Sequence, residues 1–255
     1  MDKQKIEKMR TGGKILADVM QELMDFIKEG VSKAELDKKA EELIIKRGGE
    51  PAFKKVPGYA HTTCLSVNEE VVHGIPDKRL FKKGDVVGID CGVYYKGYYT
   101  DMSETLRVKS QNGDEIDKFL EIGKEALFEA IKVARAGNRI GHISKAIQDT
   151  VEGAGYSVVR NLIGHGVGEE LHQDPEIPGY LATKIEKTPL LAPGMTLAIE
   201  VIYNMGKKNV VYRTGDQWTI VTEDKSLSGL FERTVLVAES QPEILTPLST
   251  DKNYL

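Results

Sequence analysis

The sequence predicts an α+β fold assembled from two related halves. Three observations carry that expectation: amphipathic helical stretches, paired runs rich in β-branched and aromatic residues, and a glycine-bounded pattern that occurs twice.

The elements follow in chain order. Leu16, Val19, Met20, Leu23 and Ile27 recur at helical spacing, with Gly30 as the stop. Ser32 followed by Glu35 forms a capping-box signature for a second helix that carries Leu36, Leu43 and Ile44 and ends at Gly48-Gly49. The runs DVVGIDCGVYY (85–95) and GYYTDMSETLRV (97–108) read as a hairpin turning at Lys96-Gly97. A long helix through Leu120, Leu127 and Ile131 ends at Gly137, and another spans about 142–153. YSVVR, MTLAIEVIY, QWTIVTE and FERTVLVAE read as strands. No linker or low-complexity stretch divides residues 1–255, so a single domain is expected.

The repeat links the halves. Gly30 to Gly48 and Gly137 to Gly155 enclose amphipathic helices over the same step, and Gly84 precedes Asp90 as Gly194 precedes Glu200. A duplicated fold brings Asp90 and Glu200 to related positions about a pseudo-two-fold axis.

Composition excludes several function classes. The net charge of −4, with no basic block, argues against nucleic acid as the main ligand. No apolar run approaches membrane-spanning length, and MDKQKIEKMR lacks the apolar core of a signal peptide. Cys64 and Cys91 are too few for a disulfide framework or a thiolate zinc cluster, so a cytoplasmic protein with two reduced thiols is expected.

Acidic residues are depleted inside strands because a buried charge is costly unless it is paired or binds a metal. Here Asp90, Asp101, Glu200 and Glu232 all interrupt strand-like apolar runs. A two-residue hairpin turn pairs positions whose numbers sum to an odd value, so Asp90 and Asp101 share a face, opposite or diagonal. Like charges so placed repel unless a cation lies between them. Carboxylates with one imidazole suit Mn, Fe(II), Co or Zn, and bridging carboxylates favour two ions.

GHGVG at 164–168 fails the dinucleotide pattern, and no triphosphate loop, nucleophile elbow or HExxH helix is present. His165 and His172 are the only histidines close together in sequence, while His73 ends an apolar run and opens a turn. His61 and His142 occupy polar or helix-start settings and read as structural.

Taken in order, NEEVVHGIPD, GIDCGVYYKGYYTDMSET, GHGVGEELHQDP, LAPGMTLAIEVIY and DQWTIVTEDKSLSGLFERTVLV resemble the signature blocks of type I methionine aminopeptidases. The resemblance runs from IEKMRTGGKILADV to EILT. It implies the pita-bread (creatinase/aminopeptidase) fold, with helices outside a curved, mostly antiparallel sheet and two pseudo-symmetric halves. It implies two divalent metal ions held by Asp90, Asp101, His165, Glu200 and Glu232, with Asp101 and Glu232 bridging. His73 and His172 would act unligated at the scissile peptide, and Glu200 would shuttle a proton from a metal-activated hydroxide to the leaving amine. Tyr59, Cys64 and Trp218 match positions around the methionine side chain. The implied substrate is the N-terminal Met of nascent polypeptides with a small second residue, met by a monomer in transient association with the ribosome. A proline-specific peptidase of the same fold is the alternative activity. Two departures stand out: Arg233 where many relatives have His, and Leu171 where an aromatic residue is common.

Overall fold

The computed structural model describes residues 2–109 and 113–254. Its helices are α1 (Lys3–Phe26), α2 (Lys33–Lys46), α3 (Glu115–Lys132) and α4 (Ile140–Gly153). The strands are β1 (Glu50–Pro51), β2 (Thr63–Val67), β3 (Glu70–Val72), β4 (Val86–Tyr95), β5 (Tyr98–Arg107), β6 (Ser157–Val158) and β7 (Ile163–Gly166). They continue with β8 (Gln173–Pro178), β9 (Thr196–Asn204), β10 (Val210–Tyr212), β11 (Ile220–Thr222), β12 (Ser228–Leu236) and β13 (Glu243–Ile244).

Local chemistry sets the helix ends. The Asp2 carboxylate accepts from the Gln4 and Lys5 amides and starts α1. Ile27, which the periodicity places inside that helix, instead takes extended backbone as its cap. In α2 the Ser32 hydroxyl accepts from the Glu35 amide at 3.1 Å, and the Glu35 carboxylate accepts from the Ser32 amide at 2.8 Å. Both ends of α4 lie 107 positions beyond those of α2, at 33 and 140 and at 46 and 153. His142 therefore stands where Glu35 does, and its Nδ1 accepts from the Arg139 amide at 3.0 Å. That histidine is a helix cap.

The repeat is physical. Gly30, Gly48 and Gly84 adopt the left-handed conformation, with φ of +87°, +79° and +88°. Their counterparts Gly137, Gly155 and Gly194 do the same, at +85°, +88° and +93°. Such backbone is steeply disfavoured for residues with a Cβ, so these glycines mark equivalent turns in the two halves.

A ten-stranded sheet runs β1-β4-β5-β12-β9-β7-β8, with β2 on β4, β6 on β9 and β13 on β12. A second sheet orders β10-β11-β3, and all pairings among the described residues are antiparallel. Two expected strands are narrower than the apolar runs imply. Within YSVVR only Ser157 and Val158 form β6, and β11 begins at Ile220 because Asp216 holds the Trp218 and Thr219 amides in a turn.

Strand alternation separates two faces. Val87, Ile89, Cys91 and Val93 of β4 and Met102 of β5 pack with α1 and α2. Leu197, Ile199, Val201 and Tyr203 of β9, with Phe231 and Val235 of β12, pack with α3 and α4. Each such buried side chain contributes about 1.5–3 kcal/mol. The alternate positions, including Asp90, Asp101, Glu200 and Glu232, face away from the helices. Cys64 and Cys91 are buried and unpaired.

A glycine inside α3 is explained by that packing. A Cβ on Gly123 would lie 2.3 Å from the Tyr203 hydroxyl oxygen, whose proton is donated to the Phe119 carbonyl. Helix propensity alone favours alanine there by roughly 1 kcal/mol. Gly123→Ala is nevertheless expected to destabilise the fold by about 1–3 kcal/mol through overpacking, measured by urea unfolding.

Candidate active site

The hairpin register decides the first question. Tyr95 pairs with Tyr98, so Asp90 stands opposite Ser103 and Asp101 opposite Gly92. Asp90 and Asp101 are therefore diagonal neighbours on one face. Glu232 is in register with both Ser103 and Glu200, while Cys64 pairs with Asp90. Cys64, Asp90, Ser103, Glu232 and Glu200 thus form one row across β2, β4, β5, β12 and β9. Opposed residues in antiparallel strands point to the same face, so the row delivers its side chains together. His165 joins them, because it pairs with Ala198, two positions from Glu200.

All ten residues expected at the site line one cavity: Tyr59, Cys64, His73, Asp90, Asp101, His165, His172, Glu200, Trp218 and Glu232. Its volume of about 160 Å³ far exceeds the roughly 10–15 Å³ that one water needs, so a ligand side chain fits. Phe53, Val56, Val72 and Leu171 complete the lining. The first three carried no signal in the sequence, since apolar residues look alike whether they pack a core or a pocket. Ser103 was also unmarked, although it shares strand parity with Asp101; its hydroxyl donates to Glu232 at 3.0 Å.

One end of the cavity is polar. Atoms of Asp101, His165 and Glu232 lie within 4.8 Å of one another, and Glu200 approaches His165 Nε2 at 3.5 Å. Burial pushes the Asp90 carboxyl up to about 7, against a hydrogen bond with Ser103. Burial raises Asp101, and the charges of Glu232 and Asp90 add to it. Glu200 is raised by burial, Asp90 and Asp101, and Glu232 by burial, Glu200 and Asp90. Asp101 Oδ1 and Glu232 Oε1 are buried without a hydrogen-bond partner. Oxygens left bare beside neighbouring carboxylates are what a bound cation satisfies, so the donor set fits divalent metal.

The histidines are also poised. His165 Nδ1 lies 2.9 Å from the Gly166 carbonyl, which only accepts, so Nδ1 carries the proton and Nε2 presents a lone pair. Burial and His172 lower the His165 pKa to about 4, and the two rings meet edge-on at 4.3 Å. His172 is lowered by burial, and His73 by burial and by His172. His73 has φ of +57°, a strained conformation for a non-glycine residue. It directly follows β3, whose partner β11 lies just beyond Trp218, so the small sheet carries both residues to the cavity.

The other end is apolar. Ala52, Phe53, Tyr59, Cys64 and Leu171 pack together, with Val56 and Trp218 against them. The Tyr59 and Trp218 rings meet edge-on at 5.0 Å, and Tyr59 donates to the Thr63 carbonyl at 2.7 Å.

The model of metallopeptidase family M24 matches residues 7–239. The chain belongs to metallopeptidase family M24. Among M24 relatives it is similar to methionine aminopeptidase 1 of Bacillus subtilis, 44% identical over 93% of this chain and 94% of the relative. Its fold is similar to the crystal structure of methionine aminopeptidase from Thermotoga maritima, with a TM-score of 0.92, 42% identity and coverage of 96% and 98% of the two chains. It also resembles a prolidase from Pyrococcus furiosus, at a TM-score of 0.78 and 26% identity, covering 97% of this chain but 65% of that one. The fold is the pita-bread architecture of these M24 enzymes, and a divalent metal is the family's requirement.

The carboxylates give the metal-free protein a distinctive pH dependence. Histidines lowered from 6.5 are still partly protonated in the unfolded chain up to about pH 7.5, so their stabilising contribution is complete only above that pH. Asp90, at about 7 when folded against 3.8 ordinarily, retains a proton that the unfolded chain has released. Its contribution to stability is present below about pH 4 and lost by about 7, while Asp101, Glu200 and Glu232, held well above the ordinary carboxylate range, lose theirs at higher pH. The Tm of chelator-treated protein is expected to fall as pH rises above about 7.5, and Mn²⁺ to reverse that fall. A flat metal-free profile in differential scanning calorimetry contradicts this electrostatic picture.

Proposed function

We propose that this M24 metallopeptidase hydrolyses the bond after an N-terminal methionine by holding two divalent cations on Asp90, Asp101, His165, Glu200 and Glu232. Asp101 and Glu232, each with a buried oxygen lacking a protein partner, would hold the ions together, as the family resemblance implies. One observation supports the reading above the rest: a registered row of carboxylates opens into a cavity whose far wall is apolar and aromatic. Mn, Fe(II), Co and Zn are all compatible with these donors.

When bound, the cations supply a Lewis acid and a water that ionises near neutral pH. Glu200, raised by burial and by Asp90 and Asp101, accepts the proton of the attacking water and passes it to the leaving amine. His172 is held neutral by burial and donates its remaining N–H to the developing oxyanion, an effect worth about 3 kcal/mol. His73, turned inward by its left-handed backbone, orients the substrate amide. Tyr59, Cys64 and Trp218, with Phe53 and Leu171, enclose the methionine side chain. Contact between its sulfur and an aromatic ring contributes about 0.3–1.5 kcal/mol. A preference for a small second residue, such as Gly, Ala or Ser, is what the similarity to methionine aminopeptidases implies. Nascent polypeptides beginning Met-small are the corresponding substrates.

The direct test incubates protein reconstituted with Mn, Fe(II) or Co with peptides beginning Met-Gly, Met-Leu and Ala-Pro. Methionine release from the first alone is expected; cleavage of the Ala-Pro peptide points to a proline-specific enzyme, and no cleavage with any metal ends the proposal. His172→Ala is expected to lower kcat about 10²–10³-fold while Mn²⁺ binding persists in calorimetry. Loss of binding would make His172 a ligand instead.

A further inference from the structure

Arg233 is the largest fully buried side chain among the described residues, and it lies directly behind the row of carboxylates. It follows Glu232 on β12, so strand alternation sends it to the helix side of the sheet. A buried guanidinium requires partners for all five of its N–H groups. All are present. Nε donates to Asp251 Oδ2 at 3.0 Å, and Nη2 to Asp251 Oδ1 at 2.9 Å and Glu104 Oε2 at 2.7 Å. Nη1 donates to two main-chain carbonyls, Ser103 at 3.2 Å and Glu232 at 2.8 Å.

Those carbonyls belong to the registered pair at the centre of the row, and they sit on opposite sides of a weak seam. Within the halves the ladders are long, with ten registered pairs between β4 and β5 and nine between β9 and β12. Between β5 and β12 only Ser103 and Glu232 stand in register. On either side of that pair, hydroxyls replace ladder bonds. Thr105 donates to the Leu230 carbonyl at 2.6 Å and accepts from its amide at 3.0 Å. Thr234 donates to the Asp101 carbonyl at 2.7 Å and accepts from its amide at 2.9 Å. The halves meet through side chains, and Arg233 spans the joint.

We propose that Arg233 is a positioning residue that fixes the spacing between the carboxylates of the two halves, Asp90 and Asp101 on one side and Glu200 and Glu232 on the other, and thereby sets the affinity for divalent cations. The proposal rests on the reading of those carboxylates as metal ligands. Arg233 hydrogen-bonds none of their side chains; it holds the strands that carry them through backbone carbonyls. Asp251, in the 3₁₀ turn Ser249–Asn253, is its counter-anchor and ties the C-terminal segment to the same spacing. Lysine cannot replace this arrangement, because one ammonium has three donors and no planar fork to reach two carbonyls and two carboxylates at once.

The test is Mn²⁺ calorimetry on the chelator-stripped full chain, with Tm and steady-state kinetics on a Met-Gly peptide. Arg233→Lys is expected to raise the Mn²⁺ Kd roughly 10–100-fold, as loss of groups supporting a metal shell does, and to lower kcat with KM unchanged. Tyr203→Phe removes a buried hydrogen bond on the same helix side away from the seam, so it lowers Tm and leaves the Kd as in wild type. The proposal is overturned if Arg233→Lys binds Mn²⁺ like wild type, or if Tyr203→Phe weakens binding equally. Asp101→Asn separates the underlying reading: wild type that binds no Mn²⁺, or Asp101→Asn that binds it normally, rejects the ligand assignment. Loss of binding in Asp101→Asn but not in Arg233→Lys rejects the positioning role alone. Should Arg233→Lys fail to fold, Asp251→Asn retains the guanidinium, loosens its anchor and is held to the same criterion.

Discussion

Cross-strand register is the constraint on which this molecule depends. A slip of one residue between β12 and either neighbour would send Glu232 to the helix face and Arg233 into the cavity. Glu232 would then face Leu197 and Val201, and a guanidinium would face the histidines. Register is secure within each half because long ladders are backed by apolar side chains that tolerate only one alternation. It is least secure between the halves, where side-chain hydroxyls and Arg233 take over from the backbone.

That arrangement sets packing against electrostatics. Four carboxylates gathered in one cavity oppose folding through burial and mutual repulsion. The two apolar clusters under the helices offset this cost, and a bound cation removes much of it, since binding only to the folded state stabilises that state. The same features that burden the metal-free protein prepare the site: raised carboxyls hold protons that metal displaces, and lowered histidines remain neutral donors and acceptors. Function and instability share one cause here.

Much of this was legible in residue order. The acids stand out because strands rarely bury charge, and hairpin parity alone puts Asp90 and Asp101 on one face. The glycine steps announced the duplication, and six left-handed glycines bear it out. His142 read as structural and is a helix cap. Other features were not legible. Nothing in the sequence around Phe53 and Val56 separates a pocket wall from a core, and Ser103 carries no charge to draw notice. The strand within QWTIVTE is shorter than its β-prone run because an Asp216 turn overrides local β propensity.

The sequence by itself determined the kinds of element, the faces the acids occupy and the family resemblance, because each depends on short-range periodicity or on residue identity at a fixed spacing. Beyond the β4–β5 hairpin, tertiary structure alone decided which strands lie side by side. Ser103 and Glu232 are 129 positions apart, and no local pattern specifies that they meet. It alone decided that Arg233 reaches Asp251 and two carbonyls, since a buried guanidinium is sited by the partners the whole fold gathers around it. Spacing along a strand can be counted from residue numbers, whereas adjacency across the seam exists only once both halves have folded and met.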